Sequence, residues 1–349
     1  MFNTHRIDLP RIVIVGENVI ESLGDVCQEL GFKCAMSVSG HKTFEVAGRK
    51  ANKILGGDGI RVFHTFVNNS NSECIERVKK RINESEAEVV VGVGGGRVID
   101  IAKLSSFNSK IPFISVPTTA SHDGIASNVA SIKGLDRPYS IDAQSPIAII
   151  ADSKIIARSP YRFTASGCGD ILSKSVSVLD WRLGYKVMNE YYGEYAASLA
   201  LMSVDLVMKF AEDIRNCTEI GIRTLLEALV SCGVAMSIAG SSRPCSGSEH
   251  LFSHAMDIIA PNPALHGVQC GVGAIMMANL CGIDWGLIRD KLKVMGAPTT
   301  AEELEILPKY IIEALVKAKD IRPERYTILN EVNLTRSKAK ALAETCGVI

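Results

Sequence analysis

The sequence predicts an α/β N-terminal domain with a mainly parallel sheet, followed by an all-α C-terminal domain. Over the first 150 residues, short β-rich runs alternate with amphipathic segments, and strands separated by helices form parallel sheets through crossover connections. After about residue 155 the hydrophobic periods become helical and strand signals are weak. We therefore expect two domains, 1–155 and 156–349, each long enough to bury its own core.

The N-terminal elements follow from apolar runs that end at glycine or proline. Strands rich in Val and Ile are expected at 11–15, 34–39, 59–64, 88–93, 112–117 and 145–151. Amphipathic helices are expected after the first strand, at 72–87 and at 98–107.

The C-terminal elements follow from apolar residues spaced three and four apart. Helices are expected at 194–213, 224–239, 250–259, 267–281, 309–319 and 337–346, with prolines at several of the breaks between them. The cleft between the two domains is the default position for an active site.

Charge and cysteine content exclude several classes of protein. The 349 residues carry 38 basic and 38 acidic side chains, so no bulk positive field exists for nucleic acid or an anionic membrane, and an anionic ligand needs a local site. The ten cysteines include no C-x-x-C pair, which favours a reduced, intracellular protein. The most apolar stretch, 271–283, is too short to span a bilayer. We expect a cytoplasmic enzyme without stable membrane insertion.

A strand, a glycine turn and a helix start are predicted over residues 89–100 (VVVGVGGGRVID). Consecutive glycines let the backbone approach phosphate closely, and a helix N-terminus offers unpaired N–H groups. The stretch departs from the usual dinucleotide fingerprint because Arg97 stands where the last glycine of G-x-G-x-x-G is expected. A ligand-binding loop is favoured over a purely structural turn, because three glycines are costly without a ligand.

Small hydroxyl side chains cluster in the next loop, residues 117–127 (PTTASHDGIAS), directly after another predicted strand. They suit hydrogen bonds to phosphate and ribose groups, and they equally suit the capping of a helix. From the residues alone both interpretations stay open.

Three of the seven histidines, His250, His254 and His266, fall within 17 residues. His250 and His254 share one helical face, and His266 begins the next helix. Two imidazoles that converge on a cation need a third ligand, and Asp170 offers a carboxylate in a glycine-flanked stretch, 166–174 (SGCGDILSK), that we expect to start a helix. Catalytic zinc takes three protein ligands and keeps one position open. Metal binding and a structural role are about equally supported at this point.

Taken together, the motifs resemble those of a known superfamily, the iron-containing alcohol dehydrogenases, glycerol dehydrogenases and dehydroquinate synthases. Residues 94–100 (GGGRVID), 117–121 (PTTAS), Gly169-Asp170 and the His-x3-His…His-Gly pattern carry the resemblance. Within the superfamily, 121–124 (SHDG), 246–254 (SGSEHLFSH) and 263–267 (PALHG) are most similar to the sn-glycerol-1-phosphate dehydrogenases. The match runs from the first strand to at least residue 285.

The resemblance implies a dehydroquinate synthase-like fold with a dinucleotide-binding N-terminal domain and a metal-binding C-terminal domain. It implies that Asp170, His250 and His266 hold a catalytic Zn2+, and that Asp123, Asp170 and His254 contact the substrate. It also implies that NAD or NADP is held by Gly94, Gly95, Gly96, Arg97, Val98, Ile99, Asp100, Thr118, Thr119, Ala120, Ser121 and Ser127.

The reaction that the resemblance implies is the NAD(P)-dependent interconversion of dihydroxyacetone phosphate and sn-glycerol 1-phosphate, which supplies the backbone of archaeal ether phospholipids. In this reaction Zn2+ polarises the C2 oxygen, the nicotinamide transfers a hydride, and we expect His254, assisted by Asp123, to relay a proton. We expect Arg243 to clamp the substrate phosphate, because it is the only basic residue of its loop. No acidic residue stands at 39–42 (SGHK), so NADPH should serve at least as well as NADH. The enzyme is expected to be a homo-oligomer.

Two other enzyme classes remain open. A glycerol or other polyol dehydrogenase would need no phosphate clamp. A dehydroquinate synthase-like lyase would recycle its nicotinamide, and its first metal ligand is a glutamate where this chain has Asp170. A non-catalytic nucleotide-binding protein is disfavoured by the complete set of metal ligands.

Overall fold

Eight strands lie in the part of the chain that the computed structural model describes, residues 7–131 and 140–349. Six form one sheet in which every pairing is parallel: β1 (Ile12–Gly16), β2 (Cys34–Ser39), β3 (Arg61–Phe66), β4 (Val89–Gly94), β5 (Phe113–Pro117) and β8 (Ala148–Asp152). Their spatial order is β1-β8-β5-β4-β2-β3. A separate antiparallel pair joins β6 (Val129–Ser131) to β7 (Ser140–Asp142). The six predicted strands are all present, displaced by at most a few residues.

The helices of this region connect the strands and cover the sheet. They are α1 (Leu23–Glu29), α2 (His41–Thr43), α3 (Arg49–Gly57), α4 (Ser72–Ser85), α5 (Gly96–Asn108) and α6 (Ser153–Ala157). A 3-10 turn (Val19–Ser22) precedes α1, a π-helical turn (Phe44–Gly48) joins α2 to α3, and a second 3-10 turn (Asp123–Ile125) follows β5. The helical segment 41–57 was not among the predicted elements.

The chain leaves the neighbouring strands β2 and β4 toward opposite faces of the sheet. After β2, Ala51 and Leu55 join the same buried cluster as Val91. After β4, Ile99 joins a second buried cluster with Val90. Because alternate residues of a strand point to opposite faces, the two clusters lie on opposite sides of β4. Such a switch opens a crevice at the carboxyl ends of the strands, which is where parallel α/β sheets bind ligands.

The rest of the chain is helical. Its elements are α7 (Tyr161–Met188), α8 (Glu194–Lys209), α9 (Ala211–Arg215), α10 (Glu219–Ala239), α11 (Ser248–Ile259), α12 (His266–Cys281), α13 (Trp285–Val294), α14 (Pro308–Ile321), α15 (Ile328–Glu331) and α16 (Arg336–Thr345). The predicted C-terminal helices are present, and 194–213 is divided into α8 and α9. The cluster that they bury is the largest of three, and it reaches Ile149 and Ala151 of β8.

Among the described residues, α10 is the one helix long and apolar enough to cross a membrane by length and composition. It packs against α8 within the helical region, and 67% of its apolar window is buried in the protein. Burial of this kind is typical of a core helix.

Candidate active site

Asp170 lies in the interior of α7, nine residues after the helix begins at Tyr161. The expectation that a helix starts near residue 166 is therefore wrong. The glycines on either side of Cys168 instead allow neighbouring backbone to approach α7 closely. A Cβ at Gly169 would lie 2.3 Å from the carbonyl oxygen of Gly267, and one at Gly267 would lie 2.0 Å from that of Ser166. Because both positions lack a side chain, α7 and α12 approach closely enough to bring Asp170 near His266.

Three helices bring four side chains of metal-ligand type together. A carboxylate oxygen of Asp170, a ring nitrogen of His250 and of His266, and the Sγ of Cys270 all lie within 4.8 Å of one another. The Nε2 of His250 is 3.7 Å from the Oδ1 of Asp170, and the Sγ of Cys270 is 3.6 Å from the Nε2 of His266. A carboxylate, two imidazoles and a thiol form a donor set that suits a borderline ion such as zinc.

Hydrogen bonds outside the cluster orient both imidazoles. The Nδ1 of His250 lies 2.8 Å from the Oε1 of Glu249, and the Nδ1 of His266 lies 3.1 Å from the Oγ of Ser253. Each contact occupies Nδ1 and leaves Nε2 facing the cluster, which is how metal-ligating histidines are usually held. Burial raises the pKa of Glu249 to about 7. Burial, together with Lys174 and His266, lowers the pKa of His250 well below its usual value, so the imidazole is in the neutral form that binds metal.

Lys174 provides the positive charge next to Asp170. Its Nζ lies 2.7 Å from the Oδ1 of Asp170 and 2.9 Å from the Oδ2 of Asp123, and the side chain is fully buried. It also donates to the backbone oxygen of Cys245. Burial by itself raises the pKa of Asp170, but Lys174 and His250 outweigh it, so that the net pKa is lowered. Asp170 is thus an anion, and its Oδ2 accepts a hydrogen bond from the backbone N–H of Asp123.

His254 lies beside the cluster without belonging to it. Its ring centroid is 6.4 Å from that of His250 and 5.8 Å from that of His266. Its Nδ1 is buried and has no hydrogen-bond partner among the described residues. An unpaired buried nitrogen of this kind costs free energy unless a ligand satisfies it. Burial, followed by the two neighbouring imidazoles, lowers the pKa of His254 well below its usual value.

The glycine loop lies at the carboxyl end of β4, inside the crevice described above. Gly94 ends the strand and α5 begins at Gly96, so that the first amides of the helix have no partner within it. A Cβ at Gly96 would lie 2.0 Å from the Nε2 of His122, and one at Gly95 would lie 3.1 Å from the Oγ1 of Thr119. The glycine loop and the hydroxyl loop are therefore in direct contact at the carboxyl ends of β4 and β5, beside the crevice.

Two hydroxyls of the second loop are buried without partners. The Oγ1 atoms of Thr118 and Thr119 have no hydrogen-bond partner among the described residues, although the backbone N–H of Thr118 donates to the oxygen of Gly94. Neither side chain caps the turn that follows, because His122 is its N-cap and accepts from Gly124 N through Nδ1. The interpretation of this loop as a ligand-binding loop is thereby favoured over helix capping.

Comparisons with known proteins place the chain in a family. A model of the iron-containing alcohol dehydrogenases matches residues 14–160. The glycerol-1-phosphate dehydrogenase (NAD(P)+) of Methanosarcina mazei is 52% identical over 342 residues, covering 98% of this chain and 96% of its own. That of Methanothermobacter thermautotrophicus is 49% identical and covers 99% of both chains. The chain belongs to the glycerol-1-phosphate dehydrogenase family.

Solved structures share the fold of this glycerol-1-phosphate dehydrogenase family member. A probable glycerol dehydrogenase from Sinorhizobium meliloti has a TM-score of 0.78 over 98% of both chains at 19% identity. A 1,3-propanediol oxidoreductase has a TM-score of 0.74 at 15% identity, covering 99% of this chain and 100% of its own. The fold class predicted from the sequence, with its dinucleotide-binding sheet and helical C-terminal region, is confirmed.

The structure brings most of the predicted site residues to two neighbouring places. Asp170, His250 and His266 belong to the metal-type cluster, and Asp123 and His254 lie beside it. Most of the residues predicted to bind the dinucleotide belong to the glycine loop or the hydroxyl loop, and Val98 and Ile99 have buried side chains in the core beside the sheet. Asp100 and Ser127 are also buried.

The contacts of the Arg243 side chain are with residues outside the metal-type cluster. Its Nη2 donates to the Oε2 of Glu190 at 2.8 Å and to the backbone oxygens of Asp180 and Tyr326. The side chain is 3% exposed, and its Nε and Nη1 have no hydrogen-bond partner among the described residues. These contacts hold only the Nη2 of Arg243, and its role as a phosphate clamp stays a prediction.

Sequence reasoning missed several residues that the structure adds to the site. Glu249, Ser253 and Cys270 stand next to predicted ligands, but only the helix packing shows which of their neighbours they contact. Lys174 lies four residues after Asp170 in a helix, a spacing that predicts an ion pair and that could have identified it. Arg322 and Arg325 both contribute to the lowered pKa of His254. No local sequence pattern predicts that these two arginines act on His254.

Proposed function

We propose that this chain is an NAD(P)-dependent oxidoreductase that interconverts dihydroxyacetone phosphate and sn-glycerol 1-phosphate. Its biological role is then to supply the glycerophosphate backbone of archaeal ether phospholipids. The observation that carries the proposal is the convergence of Asp170, His250 and His266 beside the unpaired Nδ1 of His254, in a chain about half identical to relatives named for this activity.

Asp170, His250 and His266 are the proposed ligands of a divalent ion, with Zn2+ favoured by their chemistry. The ion, when bound, supplies a positive charge that polarises the C2 carbonyl and stabilises the alkoxide. Support comes from the protein itself, because Glu249 and Ser253 hold the two imidazoles with Nε2 facing the cluster.

His254 and Asp123 are the proposed catalytic side chains. The Nδ1 of His254 is buried and unpaired, so it can accept a proton from the substrate hydroxyl or return one to it. Asp123 is held by Lys174 at 2.9 Å, which fixes its carboxylate to orient a substrate hydroxyl. Together with Asp170, these residues form the proposed substrate contacts.

The proposed dinucleotide site is the crevice at the carboxyl ends of the parallel strands, beside the glycine loop and the hydroxyl loop. The amides at the start of α5 suit the pyrophosphate, and Thr118 and Thr119 offer unpaired hydroxyls. The cofactor supplies or accepts the hydride at C2. At the end of β2, residues 39–42 carry no acidic side chain, so we propose that NADPH works at least as well as NADH. A hundredfold preference for NADH in kcat/KM would contradict this.

The substrate phosphate needs a cation, and three arginines are candidates. Arg243, the choice made from the sequence, is engaged with Glu190. Arg322 and Arg325 contribute to the lowered pKa of His254. The side chain of Arg322, whose Nε lies 3.0 Å from the Oε1 of Glu324, is 26% exposed. We expect Arg322→Ala to raise the KM for dihydroxyacetone phosphate by about tenfold or more, the cost of a charge-assisted bond, with little change for unphosphorylated dihydroxyacetone. An equal rise in both KM values would exclude the role, and Arg243→Ala is the parallel test.

The remaining features of the proposal concern the whole protein. We propose a cytoplasmic homo-oligomer that acts on a small molecule, binds no nucleic acid and does not insert stably into a membrane. We also propose that the two domains meet between residues 155 and 156, within the short helix α6 that follows the last strand of the parallel sheet. Light scattering of the purified protein measures the oligomeric state.

The decisive experiment follows nicotinamide absorbance with dihydroxyacetone phosphate as substrate, with chiral analysis of the product. Oxidation of NADPH or NADH with formation of sn-glycerol 1-phosphate is the expected result. A polyol dehydrogenase would oxidise glycerol as well as the phosphorylated substrate. A dehydroquinate synthase-like lyase would recycle its nicotinamide and show no net change in absorbance.

A further inference from the structure

His122 lies in the hydroxyl loop, and its imidazole ring is held between two glycines. A Cβ at Gly96 would lie 2.0 Å from the Nε2 of His122, and a Cβ at Gly124 would lie 2.3 Å from its Cε1. A side chain at either position would displace the ring. The two glycines therefore leave space for an imidazole at the start of α5.

A backbone contact determines which nitrogen of this ring is a donor. The Nδ1 of His122 accepts a hydrogen bond of 2.9 Å from the backbone N–H of Gly124. A nitrogen that accepts carries no proton, so the proton of the ring is on Nε2. Within the part of the chain that the structure describes, Nε2 has no hydrogen-bond partner. His122 therefore presents an unpaired N–H group to the glycine loop.

The start of α5 offers further donors at the same place. The helix begins at Gly96, and no side chain among residues 7–131 and 140–349 caps it. The N–H groups of Val98 and Ile99 donate to the backbone oxygen of Gly95, and the two amides before them have no partner within the helix. Donors cannot satisfy one another, so this arrangement favours a ligand that accepts from both the amides and the imidazole, as an anion does.

A buried hydroxyl also indicates a ligand at this helix start. Thr119 is 8% exposed, and its Oγ1 has no hydrogen-bond partner among the described residues. The same Oγ1 lies 3.1 Å from the position that a Cβ at Gly95 would take. An unpaired hydroxyl thus stands next to Gly95 and an unpaired imidazole N–H next to Gly96, and both can donate to one group.

We propose that His122 binds the pyrophosphate of the dinucleotide, with the N–H at Nε2 donating to a phosphate oxygen. The inference rests on the dinucleotide site proposed above and adds a residue to it. The next residue, Asp123, donates from its backbone N–H to the Oδ2 of Asp170 at 2.9 Å. One short turn therefore contacts both the dinucleotide and a proposed metal ligand.

Two substitutions separate the functions of the two ring nitrogens. In His122→Asn the side-chain oxygen takes the position of Nδ1 and keeps an acceptor for Gly124, but no donor reaches the position of Nε2. In His122→Gln the amide nitrogen reaches the position of Nε2, and the acceptor for Gly124 is lost. We expect His122→Asn to raise the Kd for NADPH by about tenfold or more, as for loss of a hydrogen bond to a charged group. His122→Gln should restore most of the affinity.

A residue that only capped the turn would give the reverse order. Asparagine is a good capping residue, so His122→Asn would then bind NADPH like the wild type and His122→Gln would bind it more weakly. That result would overturn the proposal. Thermal unfolding of each variant shows whether it is folded, and we expect His122→Asn to unfold at the same temperature as the wild type.

The measurement is a titration of the full-length proteins with NADPH, followed by nucleotide fluorescence, and with ADP-ribose, followed by calorimetry. ADP-ribose contains the pyrophosphate but lacks the nicotinamide, so His122→Asn should weaken its binding by a similar factor. A loss of affinity for NADPH alone would overturn the assignment of His122 to the pyrophosphate. A wild-type protein that binds neither NADPH nor NADH would overturn the dinucleotide site together with it.

Discussion

At the scale of single residues, a hydrogen bond to Nδ1 decides which nitrogen of each ligand imidazole is available. Glu249 occupies this atom in His250 and Ser253 occupies it in His266. His254 differs, because its Nδ1 is the atom left without a described partner. Three histidines that look alike in the sequence therefore have two different roles.

This difference predicts different outcomes for three alanine variants. His250→Ala and His266→Ala should lose bound metal and activity together, since each removes one of the proposed ligands. His254→Ala should keep its metal and lose most of its activity, by about a hundredfold or more if proton transfer is its role. Elemental analysis and nicotinamide absorbance measure the two properties, and full zinc occupancy in His266→Ala would exclude the ligand assignment.

A second residue-scale prediction concerns Lys103, which is completely buried in α5. Its Nζ donates to the backbone oxygens of Gly124 at 2.6 Å and Val129 at 2.7 Å, so it anchors the loop after Asp123. Burial lowers the pKa of Lys103 from 10.5 to about 8 in the folded protein. Between these two values the unfolded chain binds a proton that the folded chain does not, so a rise in pH stabilises the folded state.

The free energy of unfolding of the wild type, minus that of Lys103→Met, should therefore increase from about pH 8 to pH 10.5. The slope should be at most about 1.4 kcal/mol per pH unit. Subtracting the variant removes the contributions of cysteines and other groups that titrate in the same range. Denaturant unfolding at several pH values measures the difference, and a flat difference would show that Lys103 titrates normally.

At the scale of secondary-structure elements, the contact between α7 and α12 determines whether the metal-type cluster forms. Gly169 and Gly267 permit this contact because neither has a side chain to hold the helices apart. Gly169→Ala would place a Cβ 2.3 Å from the oxygen of Gly267, so the helices must separate. We expect a loss of stability of about 1–3 kcal/mol and a lower affinity for metal, measured by thermal unfolding and metal titration.

Gly56→Ala is the matched control for this variant. Gly56 is also helical, but a Cβ there would meet nothing within 4 Å. We expect the control to be as stable as the wild type or more stable by about 0.5–1 kcal/mol, because alanine loses less conformational freedom in a helix. If the two variants have the same stability, the close approach of α7 and α12 does not explain why residue 169 is glycine.

The same contact shows why elements were easier to predict from the sequence than their packing. Apolar runs of alternating or helical period gave β2 and α11 nearly to the residue. The glycines near Asp170 were interpreted as a helix start, because glycine weakens a helix interior and its tertiary contacts cannot be seen locally. The helical segment 41–57 was missed because polar and glycine residues interrupt its apolar pattern.

At the scale of the whole molecule, the site joins residues from segments far apart in the sequence. Lys174 of α7 holds both Asp170 on its own helix and Asp123 in the loop after β5. Histidine spacing and the resemblance to a family predicted the ligands, but not Arg322, because it lies near the site only through long-range packing. The sequence could therefore predict the type of site better than its complete surroundings.

The whole-molecule prediction concerns removal of the metal by a chelator. We expect the chelated protein to lose activity but to keep its helical circular dichroism and a cooperative thermal transition, because Lys174 still balances the two carboxylates. Lys174→Met should unfold at a lower temperature than the wild type, and the difference should be larger for the chelated proteins than for the metal-loaded ones. Collapse of the helical signal on chelation of the wild type would contradict this expectation.

The buried lysine also bears on the order in which the enzyme is assembled in the cell. Lys174 balances the charges of Asp170 and Asp123 without the ion. The chain can therefore complete its folding first and bind the ion afterwards. Once the ion is supplied, the folded enzyme can then become active without a further folding step.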